Sequence, residues 1–187
     1  MYKINKLNIL LKSDEKLFHT QDLALLWGVE NRNTLHVTIS RYIRRGILIK
    51  VFKGLYSVVE LKNIPREVLG SKIINRYSYI SCQTIFEWHG VINQVVYPMV
   101  FMTSISRTVF LDDDYYFIYK QLKPKFLSNH EGVEIKEGYN IATLERAVAD
   151  ILYLNPKFYF DTPSLIDWDR VRDIQKKVGY KVTKGMD

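Results

Sequence analysis

Three glycines punctuate residues 20–59 and leave few folds open to that stretch. Gly28 closes one helical segment, Gly46 closes a second, and Gly54 sits between two β-rich runs. The first segment is Gln21 to Trp27, with Thr20 as its expected cap and Asp22 in the first turn, where the helix dipole favours a negative charge. Val29-Glu30-Asn31 makes a short connection to a helix from Arg32 to Arg45, whose Leu35, Ile39, Tyr42 and Ile43 recur at helical spacing. Ile47 to Phe52 and Leu55 to Val59 then flank the turn pair Lys53-Gly54, as the strands of a hairpin do. Helix, short turn, helix and hairpin, over residues 13–59, is the order of a winged helix-turn-helix. A helix near Tyr2 to Leu11 is expected to complete its small core.

Charge points to the partner of this segment. Residues 1–60 carry ten Lys/Arg against five Asp/Glu, and residues 61–187 carry seventeen against fifteen. Between Asn31 and Val59 stand Arg32, Arg41, Arg44, Arg45, Lys50 and Lys53, with no acid among them. An ordinary solvated face intersperses both signs, so an acid-free span of this length implies a polyanion. Double-stranded DNA fits, because a helix enters the major groove and its N-terminal part meets base edges. Arg32, Asn33, His36 and Val37 are therefore the expected base readers, and Thr34 and Ser40 are expected on the same DNA-binding face. Arg41 and Arg44 lie where contacts usually go to phosphate, and Lys50, Lys53 and Tyr56 would set the hairpin against the backbone or minor groove. Arg45 is either a further contact or the cation that ends its own helix.

Beyond Glu60 the character changes. Leu61 to Pro65 has the composition of a linker, so the expected division is a winged-helix domain over residues 1–60 and a mixed α+β domain over 66–180. In the second, helices are expected from Arg66 to about Arg76 and from a Ser81 cap to His89, the latter with Ile85, Phe86 and Trp88 inward. A strand is expected over Gln94 to Thr103, at an edge or bulged because Pro98 cannot donate to a ladder. Arg107 to Leu111 and Tyr115 to Tyr119 flank Asp112-Asp113-Asp114 as a hairpin, and Val133 to Lys136 pairs with Tyr139 to Ile141 around Glu137-Gly138. Leu144, Ala147, Val148, Ile151 and Leu152 make an apolar stripe behind a Thr143 cap. Asp167 caps a last helix that buries Trp168, Val171, Ile174 and Val178, and Gly179 ends it.

No catalytic machinery, cofactor site or metal site is expected. The aspartates of residues 112–114 read as a hairpin tip. Glu134-Ile135-Lys136 downstream of them matches the loose Asp…Glu-x-Lys pattern of metal-dependent nucleases, which makes a DNA nuclease using Asp114, Glu134 and Lys136 the alternative function. The four histidines have no ligand spacing, and there is no glycine-rich phosphate loop. Arg76, Arg107, Lys120, Lys123 and Lys125, interleaved with Tyr77, Tyr79, Tyr116 and Tyr119, form a possible second surface for nucleic acid or a protein partner. Packing of those tyrosines in the core is the favoured reading. The single cysteine, Cys82, is expected to be a small buried hydrophobe in a reducing compartment. Without a signal peptide pattern or an apolar run of roughly 20 residues, a cytoplasmic location is expected.

Several segments in order resemble the second domain of the AbiEi-type antitoxins, regulators of toxin–antitoxin and abortive-infection systems. They are residues 79–92 (YISCQTIFEWHGVI), the Tyr97-Pro98 pair, residues 119–124 (YKQLKP) and residues 141–154 (IATLERAVADILYL). The resemblance implies a transcriptional repressor that binds promoter repeats of its own operon. It also implies that the second domain counters a toxin of the nucleotidyltransferase kind.

Overall fold

Residues 6–95, 98–112 and 114–183 are described in a computed structural model of the chain. The expected turn at Asp113, the Val96-Tyr97 part of the expected strand and the start of the first helix lie outside them. Helices and strands are mixed throughout, in two compact units, Met1–Asn75 and Arg76–Asp187. The boundary thus falls after Asn75 and not in the Leu61–Pro65 segment. The helix Arg66–Ile73 (α4) buries Leu69, Gly70 and Ile73, and its Lys72 pairs with Glu15 of the first unit at 3.5 Å.

The first unit runs α1 (Lys6–Leu11), β1 (Leu17–His19), α2 (Thr20–Trp27), α3 (Arg32–Arg44), β2 (Ile49–Phe52), β3 (Leu55–Ser57) and α4. Strand β1 had no signal in the sequence, because three residues are too few to show an alternation. It pairs antiparallel with β3, which also pairs with β2, so the sheet order is β1-β3-β2. Helix α2 begins one residue before its expected start. His19 is the N-cap, and the Asp22 carboxylate accepts the His19 backbone N–H at 2.7 Å. Thr20 instead ties the hairpin tip down, since its backbone N–H donates to the Gly54 carbonyl at 2.9 Å. Gly28 ends α2 in the left-handed conformation, φ 59°, as its position predicts. Leu10, Phe18, Leu23, Trp27, Leu35, Ile39, Leu48 and Tyr56 form one core. Burying Leu35 and Ile39 stabilises the seating of α3 by about 1.5–3 kcal/mol each.

The second unit is built on a six-stranded mixed sheet of order β6-β7-β5-β4-β9-β8. Its strands are β4 (Ser78–Ile80), β5 (Met99–Thr103), β6 (Arg107–Asp112), β7 (Tyr115–Gln121), β8 (Val133–Lys136) and β9 (Tyr139–Ala142). Helices α5 (Gln83–Trp88), α6 (Pro124–Leu127), α7 (Leu144–Leu154) and α8 (Trp168–Val178) complete it. The β6–β7 and β8–β9 hairpins and the Thr143 and Asp167 caps match expectation. Strand β5 does not. It is fully buried between β4 and β7, because Pro98 precedes the first paired residue and removes no ladder donor. Helix α5 is capped by Cys82 and not Ser81, and Trp88, expected inside, is 48% exposed. Cys82 adopts φ 56° and ψ −133°, a costly conformation for a residue with a Cβ, held only because the strand-to-helix turn around it is over-determined by packing.

Candidate nucleic-acid interface

Helix α3 presents the candidate face. Asn31 caps it, its side chain accepting the Thr34 backbone N–H at 3.0 Å. Leu35 and Ile39 fix one side against the core. At 3.6 residues per turn, Asn33, His36, Val37, Ser40, Arg41 and Arg44 then share an outer arc of about 140°. All six are exposed, as are Arg32 and Thr34 at its flanks. Val37, 49% exposed, is an apolar group in the middle of this polar face. Nothing in the core requires it there.

The hairpin adds two cations. Lys50 on β2 and Lys53 at the turn are exposed, and Gly54 at φ 76° permits the tight reversal. Tyr56 was expected here as a contact, and the structure corrects it. Because β1 pairs on the far side of β3, Tyr56 lies in the central strand and is buried in the core, so it cannot reach a ligand.

Electrostatics distinguish this face within its unit. Lys62 pairs with Glu60 at 2.6 Å and Lys72 with Glu15 at 3.5 Å. Among the described residues, Arg32, Arg41, Arg44, Lys50 and Lys53 make no ion pair. Met1–Asn75 holds thirteen Lys/Arg and six Asp/Glu, and Arg76–Asp187 holds fourteen of each. The whole net charge of +7 therefore belongs to the first unit.

In the second unit, the expected basic set is gathered at one end of the sheet but lacks a stacking platform. Arg76 donates to Ser104 Oγ at 3.3 Å, Lys120 Nζ to Gln83 Oε1 at 3.4 Å, and Lys125 sits over the Phe126 ring. Arg107 starts β6 and Lys123 precedes α6. Tyr79 and Tyr119 are buried, and burial pushes both hydroxyls well above the usual phenol range. Tyr77 stacks on His130 at 4.9 Å, and Tyr116 meets Phe110 edge-on at 5.7 Å.

The nuclease constellation is not assembled. Asp114 follows β6, whereas Glu134 and Lys136 lie on β8 at the opposite edge of the sheet. At about 4.8 Å per strand the separation is roughly 20 Å, too far for one metal ion. Glu134 and Lys136 instead pair with each other at 2.7 Å on the surface, and that bond lowers the Glu134 pKa. Asp112 serves the turn, accepting the Asp114 and Tyr115 backbone N–H groups at 3.0 Å. Among the described residues no three His, Cys, Asp or Glu side chains converge, and no helix is long and apolar enough to cross a membrane.

One cluster escaped the sequence reading. Arg146 and Asp150 face each other at 3.0 Å inside α7, both wholly buried. Asp150 also accepts from Tyr79, Ser81 and Tyr180, and Arg146 donates to the carbonyls of Phe126, Asn129 and Glu131. Gly132 is required beside it, since a Cβ there would lie 2.8 Å from Arg146 Cβ. Burial raises the Asp150 pKa against the opposing pull of Arg146 and the hydroxyl donors. Every polar atom of the pair is used internally, which makes the cluster a structural clamp. The sequence signal was present as Arg and Asp at i, i+4, but on the side of α7 away from the apolar stripe, where a solvent face is the ordinary reading.

No family model matches the chain, and no curated protein matches it significantly. Among solved structures, it is similar to the crystal structure of the RV2827C protein from Mycobacterium tuberculosis. The TM-score is 0.53 at 10% identity, over 91% of this chain and 69% of that one. At that identity the likeness is one of fold.

Proposed function

We propose that the protein is a DNA-binding transcriptional repressor and antitoxin, whose first unit is a winged helix-turn-helix. The observation that carries this reading is the outer face of α3, whose exposed polar and cationic side chains have no acidic partner among the described residues. The element order of the first unit and its three-stranded sheet also support it. In this reading α3 lies in the major groove. Asn33 pairs with an adenine edge, Arg32 and His36 reach neighbouring bases, and Val37 meets a thymine methyl. Arg41, Arg44, Lys50 and Lys53 hold the phosphates, which fixes register without reading sequence.

The antitoxin half rests on the AbiEi-type resemblance of the second unit. Two of the segments that carry it, residues 79–92 and 141–154, supply Tyr79, Ser81, Arg146 and Asp150, the clamp at the centre of that unit. In this chain, then, those segments build the core of the second unit. The expected target is a nucleotidyltransferase-type toxin encoded beside the repressor.

Fluorescence anisotropy with a duplex from upstream of the protein's own coding sequence tests the first half. Binding at least a hundredfold tighter than to a scrambled duplex is expected, and equal affinity for both would refute a sequence-reading repressor. Identifying a nucleotidyltransferase gene beside that of this protein and co-expressing the two tests the second half. Failure to restore growth would remove the antitoxin role and leave DNA binding standing.

A further inference from the structure

We propose that a second copy of this chain docks on the free edge of β6, strand to strand, about a two-fold axis through Val109. Strand β6 pairs with β7 alone among the described residues, and it is an outer strand of the six-stranded sheet. An outer strand directs about half of its main-chain N–H and C=O groups away from the sheet, where another strand satisfies them. At six residues it is longer than the opposite edge, β8, which has four. Phe110 on β6 is 61% exposed.

The sequence of β6, Arg-Thr-Val-Phe-Leu-Asp, is complementary to itself when run antiparallel. Residues directly opposite in an antiparallel pair project to the same face, so the register must respect side-chain direction. Arg107 pairs with Tyr119 and Val109 with Phe117, which share a face of β7 with Tyr115. An irregularity between Phe110 and Asp112 inserts one residue and returns Asp112 to that face, opposite Tyr115. With Val109 opposite Val109, Thr108 of each copy meets Phe110 of the other. Arg107 of each then meets the Leu111–Asp112 step of the other, with opposite charges on one face. Any two-fold pairing makes each contact twice. The other edge is blunted: its Lys136 and Glu134 already neutralise each other on a short strand. Ile135, 86% exposed there, stands alone.

A six-residue strand pair buries less than a standard interface, so the dimer is weak in free solution. The inference is independent of the DNA reading.

Sedimentation velocity of the full chain, from micromolar to near-millimolar concentration, is expected to show a reversible monomer–dimer equilibrium. Phe110→Lys should weaken it by at least about tenfold in Kd, and Ile135→Lys on the far edge should not change it. The register is tested by mixing two cysteine variants under mild oxidation. Thr108→Cys with Phe110→Cys should give a disulfide-linked dimer, and neither variant should do so alone. This second arm does not depend on Phe110→Lys folding. A single-chain mass at every concentration, a dimer unmoved by Phe110→Lys, or linkage as efficient in either variant alone would overturn the proposal.

Discussion

Removing Arg41, Arg44 and Lys53 together should flatten the salt dependence of DNA binding. Five cations that make no ion pair among the described residues, Arg32, Arg41, Arg44, Lys50 and Lys53, lie on or beside the α3 face and the hairpin. If each neutralises one phosphate, log K falls with log salt at a slope of about −0.9 per contact, or about −4.5 in all. Raising salt from about 50 to about 200 mM then costs the native protein roughly 500-fold in affinity. The Arg41→Ala/Arg44→Ala/Lys53→Ala variant keeps two contacts, a slope of about −1.8, and loses only about 12-fold over the same range. The three side chains are exposed and make no ion pair among the described residues, so the fold should be unaffected. Thermal melting checks this. Anisotropy titrations at four salt concentrations give the slopes directly. A variant slope equal to that of the native protein would mean that DNA binds elsewhere, and the α3 docking face would be wrong. Asn33→Ala supplies the contrasting outcome, a nearly unchanged slope with discrimination against a wrong base reduced by about 1–3 kcal/mol.

Three further outcomes follow from the packing. Tyr56→Phe should leave DNA affinity unchanged in the same titrations, whereas Tyr56→Ala should destabilise the first unit by about 3–5 kcal/mol in urea melts. Arg146→Met should cost about 3–5 kcal/mol, because it strands Asp150 as an unpaired buried charge, and adding Asp150→Leu should recover part of that loss. If the double variant were as unstable as the sum of the singles, the two side chains would not be coupled as their 3.0 Å contact requires. Burial pushes the Cys82 thiol up to about 12, so at pH 8 a thiol reagent should label it only as fast as the protein opens. Because the folded value is raised, the associated stability is complete below the unfolded thiol pKa of about 8.5 and is lost as pH climbs from there toward 12. Labelling of the native protein at the rate of a free thiol would contradict that burial.

Much of the local structure was legible because it is set by short-range rules. The glycines at 28, 54, 138 and 179 all take positive φ where a helix or hairpin must turn. The α3 spacing separated an inner from an outer side, and all eight of the positions expected on its outer side or flanks are exposed. One cause of error was strand length. Strands β1 and β4 have three residues each, too few for a period. Missing β1 made β3 look like an exposed wing strand, and Tyr56 was misassigned with it. Pro98 suggested an edge for β5 because the sequence does not reveal that pairing begins one residue later.

By itself, then, the sequence determined where helices begin and end, where the chain reverses, and which stretch gathers cation without acid. These depend on residues within a turn or two of one another. Only the tertiary structure decided which strand is central, which tyrosines face inward, and that Asp114 and Glu134 stand at opposite edges of one sheet. It also decided that Arg146 and Asp150, on what looks like a solvent face, are enclosed. A strand's neighbours and a helix's second face are settled by partners distant in sequence, and no local period records them.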